Sequence, residues 1–210
     1  MSKSRPVEIL QELLHPLAHS GELPWHDQIT QKAPLSIPDA QWASDDELDV
    51  LLGGLIWRER RALKKRVSHW LSRSVLLAVV DTLAWRVAVR PRVTKDHLPD
   101  ARFVARPSSA ATPPDSFRSL PLDDLLWKFG LFGPDSHKVL PRSFLGQPLV
   151  LRQIPQVSEG LLAPRHLSLM RVLGTQGWLF NDLLAHLEAN RDDLLRDLCA
   201  LYLTRALDLA

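Results

Sequence analysis

The feature that most constrains this chain is a pair of adjacent glycines set inside its best-signalled helix. Ser44 followed by Glu47 forms a capping box, and Asp45 and Asp46 stand where the positive end of a helix dipole favours negative charge. Leu48, Leu51, Leu52, Leu55 and Ile56 then keep helical spacing. Gly53 and Gly54 interrupt that run, at about 1 kcal/mol each relative to alanine. Either the helix breaks at the pair or another backbone packs closely against it. The apolar spacing resumes at Leu63, Val67, Trp70 and Leu71, which predicts one long amphipathic helix across the whole region.

The outer side of that region holds the chain's one concentration of charge. Between Arg58 and Arg73 seven lysines and arginines stand against Glu59, in a chain whose net charge is only +2. Arg58, Arg60, Arg61, Lys64, Lys65 and Arg66 fall largely off the Leu63/Val67/Trp70 face and read as a solvated surface. With Arg73 they form the candidate partner-binding or anion-binding set. Clustered cations release counterions from phosphates, which would suit nucleic acid, and arginine forks equally grip an acidic protein surface or a phosphorylated ligand. The sequence leaves these occupants open.

A chain of 210 residues that is 45% apolar can bury a sizeable core, and its length fits one large or two small domains. Leu10, Leu13, Leu14 and Leu17 share a helical face near Pro16, and residues 21–43 read as irregular connection. Residues 75–89 are apolar almost throughout and rich in valine, which suits a buried helix or a central strand; alanine and leucine at helical spacing favour the helix. From Pro91 to Pro121 six prolines and no periodicity mark a connection. The organisation expected is therefore a helical domain over 1–92, a Pro-rich linker over 93–118 and a C-terminal domain over 119–210. The expected fold class is mostly α, with a smaller α(+β) C-terminal domain.

Within that last domain, "LPLDDLLWKFGLFG" predicts a helix that starts near Asp123 and ends at Gly130, and "QPLVLRQIP" predicts a short strand. Pro164–Leu173 suits a helix, "GTQG" a turn, Leu179–Leu187 a second helix, and Asn190 with Asp193 opens a third whose buried face is Leu194, Leu195, Leu198, Leu201 and Tyr202. Three helices of these lengths resemble the core of a winged-helix or helix-turn-helix domain, with "GTQGWLFNDLLAHL" at the first turn and second helix. The resemblance covers under a quarter of the chain. It implies DNA binding through the third helix, but here the first turn of that helix carries Asp192 and Asp193, and no hairpin wing follows before Ala210. The unit is expected to pack against protein instead.

Catalytic signals are sparse. His15 and His19 have helical metal-ligand spacing, yet no Glu lies between them and no third ligand has motif spacing, so no metal is expected. Cys199 is the sole cysteine, which excludes an internal disulfide, and its leucine-rich surroundings make it a small buried hydrophobe. Hydrolase elbows, phosphate loops and dinucleotide fingerprints are missing, so no cofactor is expected. Asp123-Asp124 and Asp192-Asp193 sit at helix starts, where dipole compensation explains them. The run "SVLLAVVDTLAWRVAV" is broken by Asp81 and Arg86 and is too short for a membrane span, and the N-terminus lacks a signal-peptide core, which makes a cytoplasmic location the expectation. Seven tryptophans against one tyrosine favour cores and interfaces, with Trp127 and Phe132 as candidate interface aromatics. Together these features predict a non-enzymatic adaptor or regulator acting through contacts with another protein, with a nucleic-acid-binding regulator using residues 58–73 as the alternative.

Overall fold

The computed structural model describes residues 44–59, 67–97 and 100–210. Expectations for Leu10 to Leu17, His15, His19, residues 21–43 and Leu63 lie outside these residues. The fold is mixed α/β, which corrects the mostly α expectation: among the described residues five helices accompany a five-stranded antiparallel sheet. Helix α1 (Ser44–Glu59) begins at the expected capping position. Val67, Trp70 and Leu71, assigned by spacing to a continuing helix, belong instead to strand β1 (Val67–Ser72). Residues 75–89, expected as a helix, form β2 (Val75–Asp81) and β3 (Arg86–Val89). The stretch expected as a linker supplies β4 (Ala101–Arg106), and β5 (Arg118–Pro121) completes the order β4-β1-β2-β3-β5.

The sheet is covered on both faces, which erases the alternation that would identify its strands in the sequence. On one face Trp70 lies in register with Phe103 and Ala78, and Ala78 with Val89, all within the core that α1 also enters. On the other face Val67, Val79 and Ala88 are covered by Ala111 and Phe117 from the Pro-rich stretch. His69 Nε2 lies 3.0 Å from the Ala110 carbonyl oxygen, fastening that cover. Leu77 is the extra residue of a bulge between Trp70 and Leu71 and is itself buried. Asp81, which interrupts the apolar run, is the turn residue. Its Oδ1 accepts the Leu83 and Ala84 backbone N–H groups at 2.9 and 3.0 Å and reverses the chain into β3.

The second half begins with α2 (Leu122–Phe132), which runs through Gly130 rather than ending there and stops at Gly133. Strand β6 (Leu149–Leu151) falls inside the expected segment. Helices α3 (Pro164–Leu173), α4 (Phe180–His186) and α5 (Arg191–Leu203) follow where the spacing placed them, and Asn190 caps α5 by accepting the Asp192 N–H at 2.8 Å. Strand β7 (Leu207–Leu209) pairs antiparallel with β6.

Two apolar cores share α2. Leu122, Leu125 and Leu126 enter the core of α1 and the sheet, whereas Trp127 and Leu131 enter the core of α3, α4 and α5. Glycines make this sharing possible. A Cβ on Gly53 would collide with the Leu125 carbonyl, and one on Gly130 would stand 2.5 Å from Ala200 Cα. The glycine pair in α1 thus marks close packing, Gly53 against the Leu125 backbone and Gly54 against the Phe129 ring, not a break. Lys128 adds a polar clamp, donating to Asp46 Oδ1 and to buried Asp49 Oδ2 at 2.7 Å each, and Arg118 reaches Asp49 Oδ1 at 2.7 Å. Burial alone would draw the Lys128 pKa down, but its hydrogen bonds and charge pairing with the two aspartates hold it raised.

Alanine normally gains about 1 kcal/mol over glycine inside an exposed helix. Gly130→Ala should instead lower stability by about 1–3 kcal/mol through overpacking against Ala200. Gly146→Ala, where a Cβ meets open space, should change the denaturation midpoint little. Equal midpoints for the two variants would show that α2 and α5 do not approach this closely.

Candidate functional site

Where the two cores meet, a groove of about 1020 Å³ stays open. The end of α1 contributes Trp57, the β2–β3 hairpin Trp85, the 142–145 turn Phe144, the end of α5 Tyr202 and Arg205, and the chain after β6 Arg152. Its floor is apolar, with Leu122 and Leu126 of α2 beneath it. Tyr202 makes edge-on contact with Trp57 at 5.9 Å and with Phe144 at 5.2 Å, so three rings form one continuous wall.

Two groove residues occupy a backbone conformation that usually calls for glycine. Trp85 ends the four-residue hairpin loop with φ 55°, and Arg205 follows α5 with φ 61°. The Arg205 position is defined by its hydrogen bonds: its N–H donates to the Tyr202 carbonyl at 3.0 Å and the Ala206 N–H to the Leu201 carbonyl at 2.8 Å. That pair is the Schellman pattern, in which the left-handed residue is commonly glycine. The left-handed region costs an L-residue roughly 1–2 kcal/mol. Here both side chains are used: the Arg205 guanidinium lies 3.7 Å from the Trp85 ring centre, a close cation–π stack.

Asp123 holds the Trp85 ring from below. The indole N–H donates to Asp123 Oδ1 at 2.8 Å, and Asp123 as a residue is 5% exposed. Burial pushes the Asp123 pKa up to about 6, with the Trp85 hydrogen bond and the Arg205 charge opposing that rise and Asp124 adding to it. The neighbouring Asp124 accepts the Ser158 backbone N–H at 2.8 Å and its hydroxyl at 2.6 Å, so this second carboxylate fastens a loop. The dipole-compensating pair of the sequence reading therefore also makes two long-range attachments.

The residues singled out from sequence lie elsewhere. Arg58 is exposed beside Trp57 and pairs with Glu59 at 3.3 Å, and Arg73 sits in the β1–β2 turn 2.8 Å from Asp100. Arg60, Arg61, Lys64, Lys65 and Arg66 lie outside the described residues. Trp127, expected as a partly exposed anchor, is 1% exposed; it donates to the Leu161 carbonyl at 3.2 Å and meets His166 edge-on at 5.1 Å. Its position on the inner side of α2 removes it from any surface. Phe132 is half-buried against the C-terminal core. Cys199 is buried, donates to the Ser136 carbonyl at 3.0 Å, and has its thiol pKa pushed up to about 12 by burial, which keeps it a thiol.

Sequence reasoning missed Trp85, Asp123 in this role and Arg205. "DTLAW" does signal a turn through Asp81, but nothing in it marks the fifth residue as left-handed. No known protein family, curated protein or solved structure matches the chain. Among the described residues no helix is long and apolar enough to cross a membrane.

The raised pKa of Asp123 has a definite sign in stability. The folded state takes up a proton near pH 6, before the unfolded chain does near 3.8, so folding binds more protons in that window. This group's contribution therefore favours the fold more as pH falls from 7 towards 4, by on the order of 2–3 kcal/mol in full. Asp123→Asn removes that dependence. In thermal melts the gap between the variant and the wild type should be largest in the variant's favour at pH 7 and shrink by pH 5. A gap independent of pH would mean that Asp123 titrates normally.

Proposed function

We propose that the protein is a non-enzymatic adaptor or regulator whose groove between α1, the β2–β3 hairpin and the end of α5 docks a segment of another protein. The observation that carries this reading is the Trp85–Arg205 stack, held at two left-handed positions where glycine would be less strained. Side chains kept at such a cost, at the mouth of an aromatic groove, are suited to contact. Tryptophan, tyrosine and arginine are also the residues that dominate binding hot spots. Leu83 and Leu145, next in the chain to groove residues Thr82 and Phe144, are 58% and 40% exposed and give two positions from which a crosslinker can report on an occupant.

DNA reading by the winged-helix-like helices has less support. The third helix, α5, is enclosed: Leu194, Asp197, Leu198, Cys199, Ala200, Leu201 and Leu203 are buried. Arg196 donates to the Leu131 carbonyl at 3.3 Å, Arg191 lies over the Phe180 ring, and Asp197 pairs with Arg165 at 3.2 Å. We place this unit as a scaffold for the groove. The nucleic-acid alternative rests on the charge cluster between Arg58 and Arg73. The two cations described there already have carboxylate partners, and a steep fall of duplex-DNA affinity with salt is the behaviour that would favour it.

A photo-crosslinking residue placed at Leu83 or at Leu145 should capture the same discrete protein from cell lysate, insensitive to nuclease. Capture should fail when Arg205→Gly is added. That variant should melt at or slightly above the wild-type temperature, because relief of the left-handed strain offsets the lost stack. Nuclease-sensitive capture, or capture unaffected by Arg205→Gly, would contradict the docking role.

A further inference from the structure

Resting on the docking reading above, we infer the chemistry of the segment that the groove accepts: a bulky apolar side chain beside a carboxylate, the carboxylate seated on the Arg205 guanidinium. The inference comes from which charges in the groove are already committed. Arg152 donates to Asp208 Oδ2 at 2.6 Å, so that cation and that anion neutralise each other. Asp123 is turned to the Trp85 indole N–H. Arg205, by contrast, makes no side-chain hydrogen bond or ion pair among the described residues; its guanidinium lies against the Trp85 ring face, and its charge acts on buried Asp123 without a direct contact. Stacking occupies the flat side of a guanidinium and leaves its N–H edge, which is the edge that binds a carboxylate through two parallel hydrogen bonds. Among the described residues the groove therefore presents one charge without an ion-pair partner, and it is positive.

The apolar half follows from the wall beside it. Trp57, Tyr202 and Phe144 form a run of edge-to-face rings, which suits a flat or branched apolar side chain laid against them. A groove of about 1020 Å³ is at the upper limit of small-molecule sites and has room for a peptide segment rather than a compact ligand. A carboxylate also fits the strain at Arg205, since glycine in that position would relieve the backbone but supply no charge.

The test is selection of random twelve-residue peptides displayed on phage against the full-length protein. Enriched peptides should carry an aromatic or large aliphatic residue within about three positions of Asp, Glu or a free C-terminus. Arg205→Gln should weaken a selected peptide at least about tenfold, and replacing the peptide's acid by its amide should weaken it similarly, with the two losses not adding. The peptide change keeps the test valid even if the protein variant proves unstable. Peptides that lose binding on Trp85→Ala, yet contain no acid or bind Arg205→Gln equally well, would overturn the carboxylate assignment and leave groove docking standing. If no peptide is enriched, or none responds to Trp85→Ala, both readings fall. Binding of the small apolar anion anilinonaphthalene sulfonate without any peptide enrichment would likewise reject a protein segment in favour of a small ligand.

Discussion

Everything in this fold depends on how closely α2 approaches its two neighbouring helices. At Gly53 the backbone of α1 meets the Leu125 carbonyl, and at Gly130 the backbone of α2 meets Ala200 of α5. Side chains at either position would push the helices apart. Because both contacts are backbone-close, α2 can give Leu122, Leu125 and Leu126 to one core and Trp127 and Leu131 to the other. The groove is the consequence: the two cores are joined along α2 and remain open beyond it, where α1, the β2–β3 hairpin and the end of α5 face each other.

That opening is lined by residues whose backbone works against them. A left-handed tryptophan and a left-handed arginine each sacrifice roughly 1–2 kcal/mol, against the 0.5 to about 2 kcal/mol typical of one cation–π contact. The stack does not by these numbers compensate the strain at both positions, so local stability is a poor explanation for it. Asp123 sharpens the point, since a buried carboxyl whose pKa is driven to about 6 is another local cost, incurred to orient the Trp85 ring. Arg73, Ser74, Arg92, Asp135 and Glu188 are left-handed too, so what sets the groove pair apart is that its two side chains stack on each other.

How much of this was legible in the sequence depended on whether one local signal decided the structure. Helix starts were readable because caps act within four residues: Ser44 opens α1 and Asn190 opens α5, and the α3 and α4 boundaries fell within a residue of their expected places. The glycine pair was readable as a choice between a break and a close packing, and the partner backbone decided it. The sheet was not readable. A strand buried on both faces has no alternation, and the alanines and leucines of 75–89 are compatible with either state. Prolines in 91–121 suggested a connection, yet β4 uses a proline-free window between Pro99 and Pro107, and Phe117 turns the rest into a cover for the sheet. Trp127 read as an anchor by its aromatic neighbours, although only tertiary packing says which side of α2 faces inward. Trp85 and Arg205 carried no local mark at all, because their meaning lies in a contact 120 residues apart in the chain.

If α2 makes the two cores a single cooperative unit with the groove at their junction, both cores open together. Amide hydrogen exchange read by mass spectrometry, under conditions where global opening dominates, measures this directly. Strands β2 and β3 and the buried half of α5 should share one opening free energy, and Gly130→Ala should lower it equally in all three. Protection in α5 that persists while β2 and β3 exchange freely, or a Gly130→Ala effect confined to α5, would contradict that shared opening.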